Sequence, residues 1–167
     1  MTTPETALRD FEQALSRATT QGAAYDALCA LTKATVGAKL FTVMTADMTA
    51  MLASRVYTDD PANYPTSGTK AIEMNSWFEQ VHGRRETFVA NTLDDIDAVF
   101  PDAATIGRLG CASVVNLPII LGGEMVATMN ILHQEGYYTP ERVEQVETQL
   151  TLPAMATLAV ARGLPAS

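Results

Sequence analysis

Two cations and two phenols gather within sixteen positions: Arg55 and Tyr57 on one apolar run, then Tyr64 and Lys70 in the loop behind it. Guanidinium and ammonium groups beside phenol hydroxyls can hold a carboxylate or a phosphate, and loops often carry binding residues. The same four residues equally suit a solvated strand end. Asn116, Asn130 and His133 interrupt runs that otherwise read as buried strands. A buried amide must find hydrogen-bond partners, so these residues either pair with backbone or orient a polar ligand. Trp77, the one tryptophan, would serve as an aromatic lid over a pocket or as a plain core anchor. Asp94, Asp95 and Asp97 offer carboxylates for a cation or an ammonium group, with Asp95 central, although a helix N-terminus attracts such residues by itself. Cys111 opens an apolar run and His133 closes the next one, so a Cys–His pair is geometrically conceivable. Thiolate chemistry would need a lowered pKa; a small buried core residue is the alternative reading.

Other chemistries lack their motifs. There is no Cys-x-x-Cys, and two histidines without spacing make a metal site unexpected. No phosphate-binding glycine loop and no nucleophile-elbow serine occur, and we expect no cofactor. The 167 residues carry a net charge of −8, which repels nucleic acid and anionic membranes. With 47% hydrophobic residues the chain can build a core. Two cysteines suit a reduced compartment, and no basic, apolar leader starts the chain. The expectation is one cytoplasmic domain spanning residues 1–167.

The elements that would position these groups follow from periodicity. Thr3 and Pro4 start a helix with Leu8, Phe11 and Leu15 on one stripe. A second helix over 24–36 ends at Gly37. The period then drops to two over 39–45 and 50–57, with a turn at 46–49. Residues 58–70 form a loop rich in Pro, Gly, Asn and Asp. Helix over 73–83 with Ser76 as its cap, a short strand over 86–90 and a helix over 92–100 fill the middle. The clearest signal is a hairpin: ASVVNLPII and EMVATMNILH flank Gly122-Gly123. A two-residue turn sets 117 opposite 128. Ser113 and Asn130 then share one face, and Asn116 and His133 share the other unless a bulge intervenes. Thr139 caps a final helix that runs toward Arg162, with Pro153 as a kink point. The order predicts an α+β fold: one antiparallel sheet, terminal helices on one face, the middle segment on the other.

The run Leu109-Gly110-Cys111-Ala112-Ser113-Val114-Val115-Asn116-Leu117-Pro118-Ile119, then Gly122-Gly123-Glu124 and Ala127-Thr128-Met129-Asn130-Ile131-Leu132, resembles the signature hairpin of GAF domains. Ala127 departs from the glycine many members carry there. The resemblance covers nearly the whole chain. It implies a PAS/profilin-like central antiparallel sheet of about six strands, with a loop- and helix-covered small-molecule pocket on the face opposite the terminal helices. It also implies a sensor role beside an output domain; none is expected within these 167 residues, so that a signal would pass through a protein partner.

Three functions follow. The first is a stand-alone module that binds a small polar or anionic metabolite through Arg55, Tyr57, Tyr64, Lys70, Trp77, Asp95, Ser113, Asn116, Asn130 and His133. It would act through a partner or as a homodimer packed by the terminal helices, whose 154–160 stretch is apolar. The second is a small enzyme. The free methionine-(R)-sulfoxide reductases are a catalytic branch of the family, but they use several cysteines and hairpin acids; here those positions hold Val114, Asn130 and Leu132. The third is an interaction module with a collapsed pocket, for which eight methionines supply an adaptable surface.

Overall fold

A computed structural model of the chain describes residues 2–166. Threonine hydroxyls start most helices, because a β-region residue with an acceptor oxygen satisfies an orphan N–H of the first turn. Thr3 caps α1 (Pro4–Arg17), Thr20 caps α2 (Gln21–Thr35), and each accepts the N–H three residues on. Gly37 follows α2 in a left-handed conformation with φ 102°. Then come β1 (Leu40–Asp47), β2 (Leu52–Thr58) and a two-residue edge strand β3 (Lys70–Ala71). The middle segment holds α3 (Ser76–Phe78), which runs into a π-helical turn Glu79–Gly83, then β4 (Phe88–Ala90), α4 (Leu93–Asp97) and α5 (Ala103–Arg108). The α3 cap is Asn75, not Ser76: its Oδ1 accepts the Phe78 N–H at 2.9 Å. β5 (Ser113–Leu121), β6 (Glu124–His133) and α6 (Pro140–Ala161) complete the chain. α6 passes through Pro153 without ending there.

The strands form one antiparallel six-stranded sheet in the order β3-β2-β1-β6-β5-β4. Gly122 and Gly123 both have positive φ, 57° and 81°, which a two-residue turn matching the strand twist requires. Alternation along the central strands sends Phe41, Val43, Val115, Leu117, Met129 and Ile131 to one face. There they pack with Leu28, Leu31, Leu150 and Leu158 of α2 and α6. Leu40, Val114 and Leu132 face the other way and join Ala90, Ile96, Ala103, Ile106 and Cys111 in a second, smaller core. Among the described residues no helix is long and apolar enough to cross a membrane.

Two irregularities decide which side chains meet. On β6, Met125 pairs with Ile120 and Ala127 with Ile119, so Val126 is an extra residue. From there the register moves by one: Leu117 faces Met129, and Asn116 faces Asn130. On β2, Arg55 pairs with Met44 and Tyr57 with Val43, so Val56 is the extra residue. A bulge residue inverts the alternation beyond it. Arg55 and Tyr57 therefore point to opposite faces although they lie two apart.

Candidate functional site

A cavity of about 310 Å³ lies between the second face of the sheet and the middle segment. Its floor is a chain of neutral polar groups on three adjacent strands. Asn116 on β5 donates from Nδ2 to Asn130 Oδ1 on β6 at 2.7 Å, and Asn130 donates from Nδ2 to Thr42 Oγ1 on β1 at 3.2 Å. All three residues are buried. Trp77 roofs the floor: its indole Nε1 donates to Asn116 Oδ1 at 2.9 Å. Its ring meets Phe100 edge-on at 5.7 Å between centroids, and Phe100 meets Phe88 at 6.0 Å. A buried amide carries two donors and two acceptor lone pairs, and this ladder occupies its main ones within the protein.

The rim carries the charge. The Arg55 guanidinium lies 3.8 Å over the centre of the Tyr64 ring and donates from Nη1 to Pro65 O at 2.8 Å. Its Nη2 stands 3.9 Å from Asp102 Oδ2. The Tyr64 hydroxyl donates to that same carboxylate oxygen. Burial and then this hydrogen bond hold the Tyr64 phenol protonated well above its ordinary range. Lys70 and Glu73 stand at the exposed mouth. His82, in the π-helical turn, also lines the cavity. Its ring stacks on Phe78 at 4.9 Å, Nδ1 lies 3.3 Å from Met48 Sδ, and burial pushes its pKa down.

Six of the residues singled out in the sequence thus come together: Arg55, Tyr64, Lys70, Trp77, Asn116 and Asn130 all line this cavity. The others are placed elsewhere. Tyr57 is on the helix face, because the Val56 bulge turns it over. There its hydroxyl donates to Asp26 Oδ1 at 2.5 Å and its ring packs on Tyr25 and Phe41. Asp95 is exposed in the first turn of α4, where its backbone N–H is capped by Thr92. Ser113 also faces away from the cavity and donates to Gln134 O at 2.7 Å. His133 stacks on Tyr137 at 3.5 Å, and its Nδ1 accepts the Gln134 N–H at 2.9 Å. Cys111 belongs to the second core, 2% exposed, and burial raises its thiol pKa. Neither Cys111 nor His133 is directed at the other, so no thiolate–imidazole pair forms.

Asp102, Phe100, Thr42 and His82 complete the site and were not singled out. Thr42 carries a readable signal once β1 and β6 are paired, since it lies opposite Asn130. Asp102 follows the helix-breaking Pro101 and carries no pattern of its own; its contact with Tyr64 spans 38 positions. A larger recess of about 700 Å³ runs along the turn ends of the sheet, past Arg85, Glu124 and Arg162. Arg85 already donates there to Gly123 O at 2.7 Å. Among the described residues no cluster of three His, Cys, Asp or Glu side chains could hold a metal ion.

An antiparallel six-stranded sheet with terminal helices on one face and a cavity under short covering helices on the other defines an α+β class common in sensor proteins. The chain belongs to the GAF domain family, whose model matches residues 14–156. The GAF domain of a two-component sensor histidine kinase from Bacillus halodurans is similar over 86% of this chain and 97% of its own, with 13% identity and a TM-score of 0.68. The GAF domain of a phosphoenolpyruvate-protein phosphotransferase from Coxiella burnetii is 17% identical over 95% of this chain and 94% of its own, with a TM-score of 0.70. The free methionine-R-sulfoxide reductase from Neisseria meningitidis, in complex with its substrate, is 13% identical over 95% of this chain and 90% of its own, with a TM-score of 0.66. At these identities the likeness is one of fold. No curated protein matches the chain.

Proposed function

We propose that this GAF domain binds a small polar or anionic metabolite between the sheet and the middle segment and works as a sensor module. The observation that carries the reading is the cavity itself. About 310 Å³ is left open above a hydrogen-bonded amide floor, beside a guanidinium at the rim. That volume is within the range of small-molecule pockets. A collapsed interior would have closed over Asn116 and Asn130 with backbone partners alone; here they bond to each other, to Trp77 and to Thr42, with the Thr128 carbonyl a long 3.5 Å further contact of Asn130. Native mass spectrometry of freshly purified protein tests the reading. A co-purifying small molecule that is lost when Val114→Trp fills the cavity supports it. An empty species, together with no thermal shift across a broad metabolite library, refutes it.

The signal would leave through the terminal helices. Leu152, Met155, Ala156, Ala159 and Val160 recur at helical spacing on α6, with Leu152 72% exposed, and Leu8 of α1 is 42% exposed. Such a stripe suits a helix-packed homodimer or a docked output protein. A Leu152→Glu variant that remains dimeric by light scattering, or a parent chain that is monomeric at high concentration, refutes the homodimer.

A further inference from the structure

We propose that the cavity takes a carboxylic acid with an apolar, ring-sized body, anchored by Arg55 and opposed by the Asp102 carboxylate. This rests on the binding reading above and narrows it to one ligand class.

Arg55 carries five N–H donors in a planar fork. Its side chain is only 15% exposed, yet among the described residues the protein accepts one of those donors, at Pro65 O. Asp102 Oδ2, at 3.9 Å from Nη2, is beyond hydrogen-bond distance and is taken by the Tyr64 hydroxyl. Tyr64 covers one flat face of the guanidinium. With Nη1 engaged by Pro65 O, the Nε–Nη2 edge donates to no described protein acceptor, and two parallel N–H donors on an edge match the two oxygens of a carboxylate.

The remainder of the cavity sets the body of the ligand. Met44, Val99, Phe100, Ile106, Val114 and Leu132 supply apolar wall. The floor amides are neutral and bonded among themselves, so the deep end offers no second charge. A ligand should therefore bear its charge at the Arg55 end and bury carbon beneath Trp77 and Phe100. A phosphate fits less well. Its second negative charge would lie close to the Asp102 carboxylate, and like charges at such range repel in a partly buried site. Asp102 thus weakens every anion and discriminates most against dianions.

Trp77 is the sole tryptophan and touches the cavity, so its fluorescence reports occupancy. The full chain is titrated with 3-phenylpropanoate and with its neutral isostere 3-phenylpropanamide. The expected result is saturable binding of the acid, with the amide weaker by roughly tenfold or more. Arg55→Gln should abolish that preference, and Arg55→Lys, which keeps the charge without the fork, should reduce it. If Arg55→Gln melts early, Arg55→Lys carries the comparison. Asp102→Asn should bind the acid roughly threefold tighter or better, since a nearby carboxylate is neutralised. Equal binding of acid and amide, or a preference that survives both Arg55 variants, overturns the anchor while leaving a ligand cavity standing. Displacement of the acid by inorganic phosphate at matched concentration overturns the preference for a carboxylate over a dianion. Weaker acid binding in Asp102→Asn overturns the role given to Asp102. No response to either compound overturns the ligand class, whereas the binding reading itself is decided by the mass spectrum.

Discussion

Replacing Asn116 by Leu should break the floor of the cavity without breaking the fold. The change removes two hydrogen bonds, from Trp77 Nε1 at 2.9 Å and to Asn130 Oδ1 at 2.7 Å. It leaves Asn130 Oδ1 buried without its donor and the indole N–H without its acceptor. Stranding a buried partner costs about 1–3 kcal/mol each. Cavity water can reach the indole and relieve part of that, so we expect about 2–4 kcal/mol in total. Against a stability of about 5–15 kcal/mol the variant stays folded. At about 2–4 °C per kcal/mol for a chain of this size, the melting temperature falls by roughly 5–15 °C. Asn130→Leu strands Asn116 Nδ2 and Thr42 Oγ1 in the same way. The double variant removes both members of the central bond, and replacing both partners by apolar groups is close to neutral for that bond. Urea unfolding followed by circular dichroism on the four proteins gives the cycle. A coupling of about 1–2 kcal/mol between the two sites is expected. Strictly additive effects, or a cost for Asn116→Leu under about 1 kcal/mol, would mean that water satisfies each amide independently and that the ladder is no unit.

Other expectations concern the frame around the site. Gly37→Ala should cost about 2 kcal/mol or more, since φ is 102° and the new Cβ would lie 2.3 Å from Tyr137 Oη; a melting temperature within a degree of the parent refutes this. His82 and His133 both have pKa values lowered by burial. The unfolded chain therefore binds protons first: stability is full above the ordinary histidine range and declines as pH falls through about 6.5. His82→Gln should flatten that decline between neutral pH and pH 5 in melting scans, and an unchanged slope refutes the assignment. Iodoacetamide should label neither cysteine in the native protein, because burial raises both thiols, Cys29 to about 11; both should react in strong urea. Rapid labelling of Cys111 in the folded chain would reopen thiolate chemistry at the hairpin.

Local chemistry was legible wherever one short stretch carries its own instructions. Thr3, Thr92 and Thr139 cap helices because a threonine oxygen needs only its own first turn; Thr20 does the same for α2, which starts at Gln21 and not at residue 24 as its periodicity suggests. Gly122-Gly123 makes the hairpin because two successive positive φ angles are available there without a Cβ penalty. The GAF resemblance was readable in residues 109–132 for the same reason, and with it the six-stranded sheet. Less was legible in the middle segment. The π-helical turn at Glu79–Gly83 differs from an α-turn by one hydrogen-bond step, and β3 is a two-residue edge set by its partner β2.

The membership of the site belongs to the tertiary structure. Arg55, Tyr64 and Trp77 announced themselves by residue type, but whether Asn116 shares a face with Asn130 or with His133 depends on one extra residue, Val126. Whether Tyr57 joins Arg55 depends on another, Val56. Each bulge is chosen by how neighbouring strands and the helix layer pack, and nothing in the residues beside it marks its place. Composition and spacing determined which side chains were available, together with the hairpin that carries two of them. Long-range packing decided which ones meet, because a single inserted residue inverts every side chain beyond it.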